Sequence, residues 1–161
     1  MKKGDKTKPF VTIFTDGACS GNPGEGGWAA RLSCKLANGQ DYVKILSGYS
    51  PNTTNNIMEL TAVVNALSAL KTPSEAEIRS DSAYIVNAIN SGWLDTWTVN
   101  GWKTSENKPV ANKELWQKLT KFMKTHTVKF VKVKGHADDE FNNLCDKLAR
   151  DAIKNKKGSY D

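Results

Sequence analysis

FVTIFTDGACSGNPGEGGW (residues 10–28) decides how this chain is read. Its first part, Phe10 to Thr15, alternates weakly and is rich in β-branched residues, which predicts a strand ending at Asp16. Residues 17–27 then form a glycine-rich loop. Glycine there serves a tight turn needing positive φ, a close approach of the backbone to a ligand, or both. Beyond Trp28, Ala30, Leu32, Cys34 and Leu36 recur at period two. Asn38-Gly39 is a hairpin signal, and residues 42–49 return as the next strand with Val43 and Ile45. Leu60, Val63, Val64, Leu67 and Leu70 fall on one helical stripe. After Pro73 come a short strand over 76–80, Asp81, and a helix carrying Tyr84, Ile85, Ala88 and Ile89. A tryptophan-rich segment (91–102) leads to a loop (103–112) closed by Asn112 as a helix N-cap. Leu115, Leu119, Phe122 and Met123 repeat at helical spacing. A strand over 127–133, a loop over 135–143 and a last helix with Leu144, Leu148, Ala149 and Ala152 complete the order. Antiparallel strands followed by alternating helices and strands predict an α/β fold, a five-stranded mixed sheet flanked by helices.

The length of 161 residues fits one domain. The three cysteines, Cys19, Cys34 and Cys145, are unevenly spaced with no pair at CxxC spacing, which argues against structural zinc and a disulfide framework. Free thiols suit a reducing, cytoplasmic compartment. The charged start MKKGDKTK is followed by no apolar segment of signal-peptide kind, and no apolar stretch approaches membrane-spanning length. The net charge of +6, from 23 Lys+Arg against 17 Asp+Glu, favours a polyanionic partner. Much of that excess lies in lysines near the two ends, which also read as solvated tails.

Four carboxylates stand at element boundaries. Asp16 ends the first strand, Glu59 lies in the first turn of the first helix, Asp81 follows the fourth strand, and Asp146 lies early in the last helix. Sites in such sheets form at the carboxyl ends of strands. Four carboxylates brought together repel unless cations intervene, and magnesium, a hard ion, takes oxygen ligands. Two such ions about 3.5–4 Å apart clamp the attacking and leaving oxygens of a phosphodiester. Each residue also has a structural reading. Asn56-x-x-Glu59 is a capping box, Asp81 an N-cap, Asp146 with Arg150 an i,i+4 pair, and Asp16 the opening of an Asx turn. Spacing alone supports a candidate metal-dependent phosphohydrolase and leaves these alternatives open.

FTDGACSGNPGEGGW (14–28), TTNNIMEL (53–60), SDSAY (80–84) and VKGHADDEFNNLCDKLA (133–149) resemble, in order, the four signature segments of ribonuclease H, type 1. GWKTSENKPVAN (101–112) is similar too, and the resemblance runs from about Phe10 to Ile153. It implies the ribonuclease H-like fold, with one catalytic domain over residues 10–154 between a basic tail (1–9) and a C-terminal tail (155–161). The implied activity is endonucleolytic cleavage of the RNA strand of RNA–DNA hybrids by two-metal-ion catalysis, leaving 5′-phosphate and 3′-hydroxyl ends. The resemblance makes Asp16, Glu59, Asp81 and Asp146 ligands of Mg²⁺, two ions with substrate, with Mn²⁺ as a substitute. It gives His136 a proton-handling role. His126, between two threonines, matches no role and reads as a surface residue.

RNA differs from DNA by a 2′-hydroxyl that donates and accepts hydrogen bonds. The resemblance places Gly17, Cys19, Asn22, Asn55 and Asn56 along the shallow groove that reads it, with Glu59 touching a 2′-hydroxyl. Thr54 grips a DNA phosphate, and Asn142 joins the nucleic-acid contacts. Trp93, Trp97 and Trp102 form a protruding segment, with Trp97 facing DNA and Trp93 mainly packing. Lys103 and Lys108 supply phosphate partners. The chain departs from well-studied bacterial members in having Thr98, Val99, Asn100 and Gly101 where a basic cluster stands. It also has one extra residue before Trp93, Ile57 where arginine is common, and Ala83 in place of a longer polar residue. These departures bear on hybrid affinity and salt tolerance rather than on the chemistry. Only nine residues precede the first strand, so no separate N-terminal hybrid-binding domain is expected. A monomer without protein partners is expected. Rival readings are an integrase or junction resolvase on the same sheet, a non-catalytic hybrid-binding module, and a domain of a reverse transcriptase. The first would not need the histidine loop and tryptophan segment. A pure binder would gain nothing from concentrating negative charge near phosphates.

Overall fold

Strand β1 (Phe10–Gly21) is the middle of five, and the site is built around it. The computed structural model describes residues 8–133 and 139–158. On one side β1 pairs antiparallel with β2 (Gly24–Lys35), which pairs antiparallel with β3 (Asp41–Thr53). On the other side β1 pairs parallel with β4 (Glu75–Ser80), and β4 with β5 (Thr127–Lys132). The order β3-β2-β1-β4-β5 is the expected five-stranded mixed sheet. Parallel neighbours need crossovers, and helices supply them: α1 (Asn55–Ser68) between β3 and β4, then α2 (Ala83–Asn90), α3 (Trp93–Asn100) and α4 (Lys113–Thr125) between β4 and β5. Helix α5 (Glu140–Asn155) closes the chain.

The large core lies between the sheet and α1, α2 and α4, where Ile13, Leu60, Leu67, Ile78, Ile85, Trp116 and Leu119 are fully buried. A 13-residue helix such as α4 is marginal alone in water. Burial of Trp116 and Leu119 holds it, at about 1.5–3 kcal/mol for a fully buried side chain of leucine size. A smaller cluster of Phe14, Ala29, Cys145 and Ala149 seats α5 on β1 and β2.

The expectation that β1 ends at Asp16 and that residues 17–27 are a loop is corrected. β1 continues to Gly21 and pairs with β2 from Val11↔Cys34 to Gly21↔Gly24, so only Asn22 and Pro23 form the turn. Gly21 takes the positive φ, 97°, that the turn needs, whereas Gly17 and Gly27 serve close helix approach. A Cβ on Gly17 would lie 2.5 Å from the Glu59 backbone nitrogen, and one on Gly27 would lie 2.2 Å from the Ala149 carbonyl oxygen. Helices α1 and α5 can approach this ribbon because no side chain stands between.

Helix starts also differ from expectation. Thr54, not Asn56, caps α1, its Oγ1 accepting from the Ile57 N–H at 3.2 Å. Ser82, not Asp81, caps α2 by accepting from Ile85, and Asp139 caps α5 by accepting from Asn142. Asn112 does hold the N-cap position of α4, but its side chain makes no capping bond; it sits in the left-handed region at φ 61°, and its Nδ2 donates to Tyr84 Oη at 3.0 Å. His126, expected at the surface, is 5% exposed, stacks on Phe122, and its Nδ1 accepts the Ser74 N–H at 3.1 Å. The described ends of the chain are held to the sheet. Lys8 Nζ donates to Thr127 Oγ1, and the Pro9 carbonyl accepts from Glu75. Lys156 pairs with Glu25, and Gly158 lies against Ser47 and Gly48.

Candidate active site

Three elements deliver three carboxylates to one point. Asp16 sits mid-strand in β1, Glu59 in the second turn of α1, and Asp81 just past β4. One carboxylate oxygen from each lies within 4.8 Å of those of the other two. The closeness of α1 to Gly17 sets the Asp16–Glu59 approach, and parallel pairing of β1 with β4 brings Asp81 alongside. Because Thr54 and Ser82 perform the capping, neither Glu59 nor Asp81 is engaged in holding a helix end. Asp146, in the second turn of α5, lies at the rim of the same depression, half-exposed and paired with Arg150 at 3.0 Å. The depression has a volume of about 360 Å³, and Asn55, Asn56, Ser82, Ala83 and Tyr84 complete its lining.

The electrostatics are those of crowded acids. Burial raises the Glu59 carboxyl well above the usual range, and the charges of Asp16 and Asp81 raise it further. Burial and then the charge of Asp81 raise Asp16 as well. A hydrogen bond between the two lowers Asp16 and raises Glu59, so Glu59 is the partner that keeps a proton. Burial raises Asp81, opposed in part by Lys132. Glu59 Oε1 is buried with no hydrogen-bond partner among the described residues. Three converging carboxylates, one with an orphaned oxygen, fit a hard divalent cation, the one ligand that would relieve repulsion and satisfy that oxygen together. Cys145, close behind Asp16, offers no nucleophile: burial pushes its thiol up to about 12, and its Sγ contacts the Phe14 carbonyl.

The other expected site residues divide. The β1–β2 turn is tied to the α1 N-terminus by Asn22 Oδ1, which accepts the Asn55 N–H at 3.1 Å. Cys19 Sγ donates to the carbonyls of Thr53 and Gly24. Of the expected groove residues, Gly17, Asn55 and Asn56 line the depression, while Asn22 is joined to it through Asn55, and Cys19 and Thr54 lie outside its lining. Asn142 does not join them; it is 2% exposed, buried at the start of α5. Exposure among the tryptophans does not follow the division expected of them. Trp93 is 47% exposed, whereas Trp97 is half-buried with its ring against Trp93, Trp102 and, edge-on, Trp116. Lys103 is exposed beside Trp102, where its backbone bridges to Pro109. His136 lies outside the described residues. Sequence reasoning placed Tyr84 only on an apolar helix stripe. Its hydroxyl accepts from Asn112 Nδ2 and Trp116 Nε1 while its side chain borders the carboxylates. Its position three residues after Asp81, one helical turn on, was the available signal.

Known proteins match this arrangement over nearly the whole chain. A protein named ribonuclease H from Chlorobium phaeobacteroides (strain BS1) is 57% identical over 147 residues, covering 91% of this chain and 97% of that protein. Another of that name, from Caldicellulosiruptor saccharolyticus, is 54% identical over 144 residues, covering 89% and 96%. Among solved structures, LC9-RNase H1, described as a type 1 RNase H with the type 2 active-site motif, superposes with a TM-score of 0.85 at 28% identity. That match covers 97% of this chain and 77% of the other. LC11-RNase H1 in complex with an RNA/DNA hybrid gives a TM-score of 0.66 at 26% identity over 91% of this chain and 98% of that one. The RNase H family model itself spans residues 8–154, a stretch holding all four carboxylates, and with fold, relatives and acidic cluster in agreement the chain belongs to the ribonuclease H family, beside its type 1 members.

Proposed function

We propose that this ribonuclease hydrolyses the RNA strand of RNA–DNA hybrids at the Asp16–Glu59–Asp81 cluster with magnesium, leaving 5′-phosphate and 3′-hydroxyl ends. One observation carries the reading: carboxylates from β1, α1 and the end of β4 meet within 4.8 Å in an open depression. Support comes from the similarity to LC11-RNase H1, whose structure is of a complex with an RNA/DNA hybrid. Asp16, Glu59 and Asp81 would hold the cation, and Asp146 would take the outer position. When bound, two magnesium ions with substrate lower the pKa of water and neutralise charge on the phosphodiester.

The chain's own residues do the rest. The proton kept by Glu59 must leave when the carboxylates take up a cation, so binding is favoured as pH rises. Asp146, held by Arg150 at the rim, can engage or release without disturbing the inner three. His136, by resemblance, moves a proton near neutrality. Asn22, Asn55, Asn56 and Cys19, with the backbone at Gly17, would receive the RNA sugars, and Thr54 a DNA phosphate. Trp93, Trp97, Trp102, Lys103 and Lys108 would meet the DNA strand. The reading extends to a monomer acting in the cytoplasm, organised as one catalytic domain over residues 10–154. No described helix is long and apolar enough to cross a membrane.

End-labelled RNA–DNA, RNA–RNA and DNA–DNA duplexes, incubated with and without Mg²⁺, test the reading. Cutting confined to the RNA of the hybrid, and only with the ion, is expected. Cleavage of duplex DNA, or hybrid binding with no cleavage under any divalent ion, would overturn it.

A further inference from the structure

We propose that the groove between α3 and α4 binds a single-stranded nucleic-acid tail. The groove lies apart from the carboxylates and has a volume of about 510 Å³. One wall is the outer face of α4, where Lys118, Lys121 and Lys124 follow one another at intervals of three residues. The other wall is the last turn of α3 and the residues after it, represented by Thr98 and Trp102. Residues three apart on a helix are neighbours, so the three lysines form a short cationic row. All three are exposed, and none is paired with a carboxylate among the described residues. Glu114 is the one acidic lining residue, and it stands at the α4 N-terminal end, one turn before Lys118.

A row of unpaired cations facing an indole is the composition that single strands use. Phosphates track the charges while an unstacked base lies on the aromatic face. A duplex keeps its bases stacked inside and can offer Trp102 only sugar and phosphate, not a base to stack on. An acidic peptide would satisfy the lysines but not the ring. The groove also continues a path. Trp102 packs on Trp97 with ring centroids 5.9 Å apart, and Trp97 on Trp93 at 5.9 Å, so an aromatic line joins exposed Trp93 to the groove. The residues between Trp97 and Trp102 carry no charge, and the lysines that line the groove itself all come from α4. The natural occupant is the unpaired strand that extends from a hybrid. That origin rests on the proposed function, whereas single-strand binding itself does not.

The test measures binding without metal, which separates it from catalysis. A fluorescent oligothymidylate is titrated in EDTA, by anisotropy, at several KCl concentrations. The wild type is compared with Lys118→Gln/Lys121→Gln/Lys124→Gln and with the triple arginine variant. Each phosphate contact on a single strand adds about 0.7 to the slope of log K against log salt. The glutamine variant should bind at least tenfold more weakly at low salt and lose about 2 from that slope. The arginine variant should match the wild type. Thermal melts confirm that both variants fold. Cleavage of a short blunt hybrid should be unchanged in the glutamine variant, while the KM advantage of a tailed hybrid disappears. Unchanged affinity and slope in the glutamine variant would overturn the proposal. So would an equal loss on blunt hybrid, which would place the lysines in the duplex interface, or equal competition by an acidic peptide. Failure of hybrid cleavage in the wild type with oligothymidylate binding intact would instead count against the proposed function alone.

Discussion

Asp16 and Glu59 are two buried carboxyls brought close together at the centre of the site. Both carboxyls are raised above their ordinary values, first by burial. A carboxyl whose folded pKa exceeds its unfolded value contributes stability below the unfolded value, about 4, and that contribution is lost as pH rises through the folded one. The metal-free protein should therefore lose stability from about pH 4 upward through neutrality on account of this pair. One unit of such a shift is worth about 1.4 kcal/mol above both values, and 1 kcal/mol moves Tm by roughly 2–4 °C in a domain of this size. Glu59→Gln should accordingly raise the metal-free Tm by several degrees at pH 8, and Mg²⁺ should raise wild-type Tm more at pH 8 than at pH 5.5. Calorimetry of both proteins with and without the ion checks this; a Glu59→Gln Tm at or below wild type at pH 8 would refute it. Asp81→Asn keeps the size of the side chain while removing a charge that the proposed cation would need. Hybrid cleavage should fall to near background with an unchanged circular dichroism spectrum and hybrid binding largely retained, and substantial residual cleavage would sink the metal assignment.

At the scale of elements, the approach of α1 to β1 positions the site. A Cβ at residue 17 would meet the Glu59 nitrogen at 2.5 Å and the Met58 backbone carbon at 2.6 Å, neither of which can swing away. Gly17→Ala should push α1 outward, costing about 1–3 kcal/mol of stability as overpacking does and lowering cleavage at least tenfold by separating Glu59 from Asp16. Denaturant unfolding beside single-turnover kinetics reads both, and wild-type values in each would show that α1 yields freely. The α4–β5 junction makes an opposite pH demand. His126 must stay neutral to accept from Ser74, and burial, then Lys8, holds its pKa below the ordinary value. That stability is present above about pH 6.5 and is lost as pH falls through the lowered value. His126→Phe should leave the buried Ser74 N–H without an acceptor, costing about 1–3 kcal/mol and flattening the loss below pH 6.5; an unchanged acid profile would exclude the histidine as its source. Sequence pattern showed the five strands, the α1 and α5 stripes and all four carboxylates, because periodicity and element order are local properties. It missed the β1–β2 pairing through residues 17–21 because glycine weakens the strand signal, and the reason for Gly17 lies at Met58 and Glu59 of α1, far along the chain. His126 was misread for the same reason: its partner is 52 residues distant.

For the molecule as a whole, the net charge of +6 sets the approach to a polyanion, and salt screens it beyond roughly 8 Å at physiological strength. The uncharged tip of α3, where Val99 is 87% exposed, contributes no local cation. Thr98→Lys/Val99→Lys should lower KM for a defined hybrid with kcat mostly unchanged, the pattern of added uniform binding. The slope of log K against log salt should steepen by up to about 0.9 per new contact. KM across a KCl series decides, and no change in a folded variant would mean that this tip does not meet the hybrid. Salt acts on a second property through β3, the outermost strand on its side of the sheet, which carries exposed Tyr42 and Val43 near its start. Unpaired edge strands with apolar side chains template edge-to-edge association, and charges such as Asp41 and Lys44 beside them act as guards. Two copies of a cationic chain repel before their edges meet, so colloidal solubility depends on the same long-range field that draws in the substrate. A concentrated stock should keep best at low ionic strength, and the salt that releases nucleic acid during purification should also be the condition under which strand edges begin to stick.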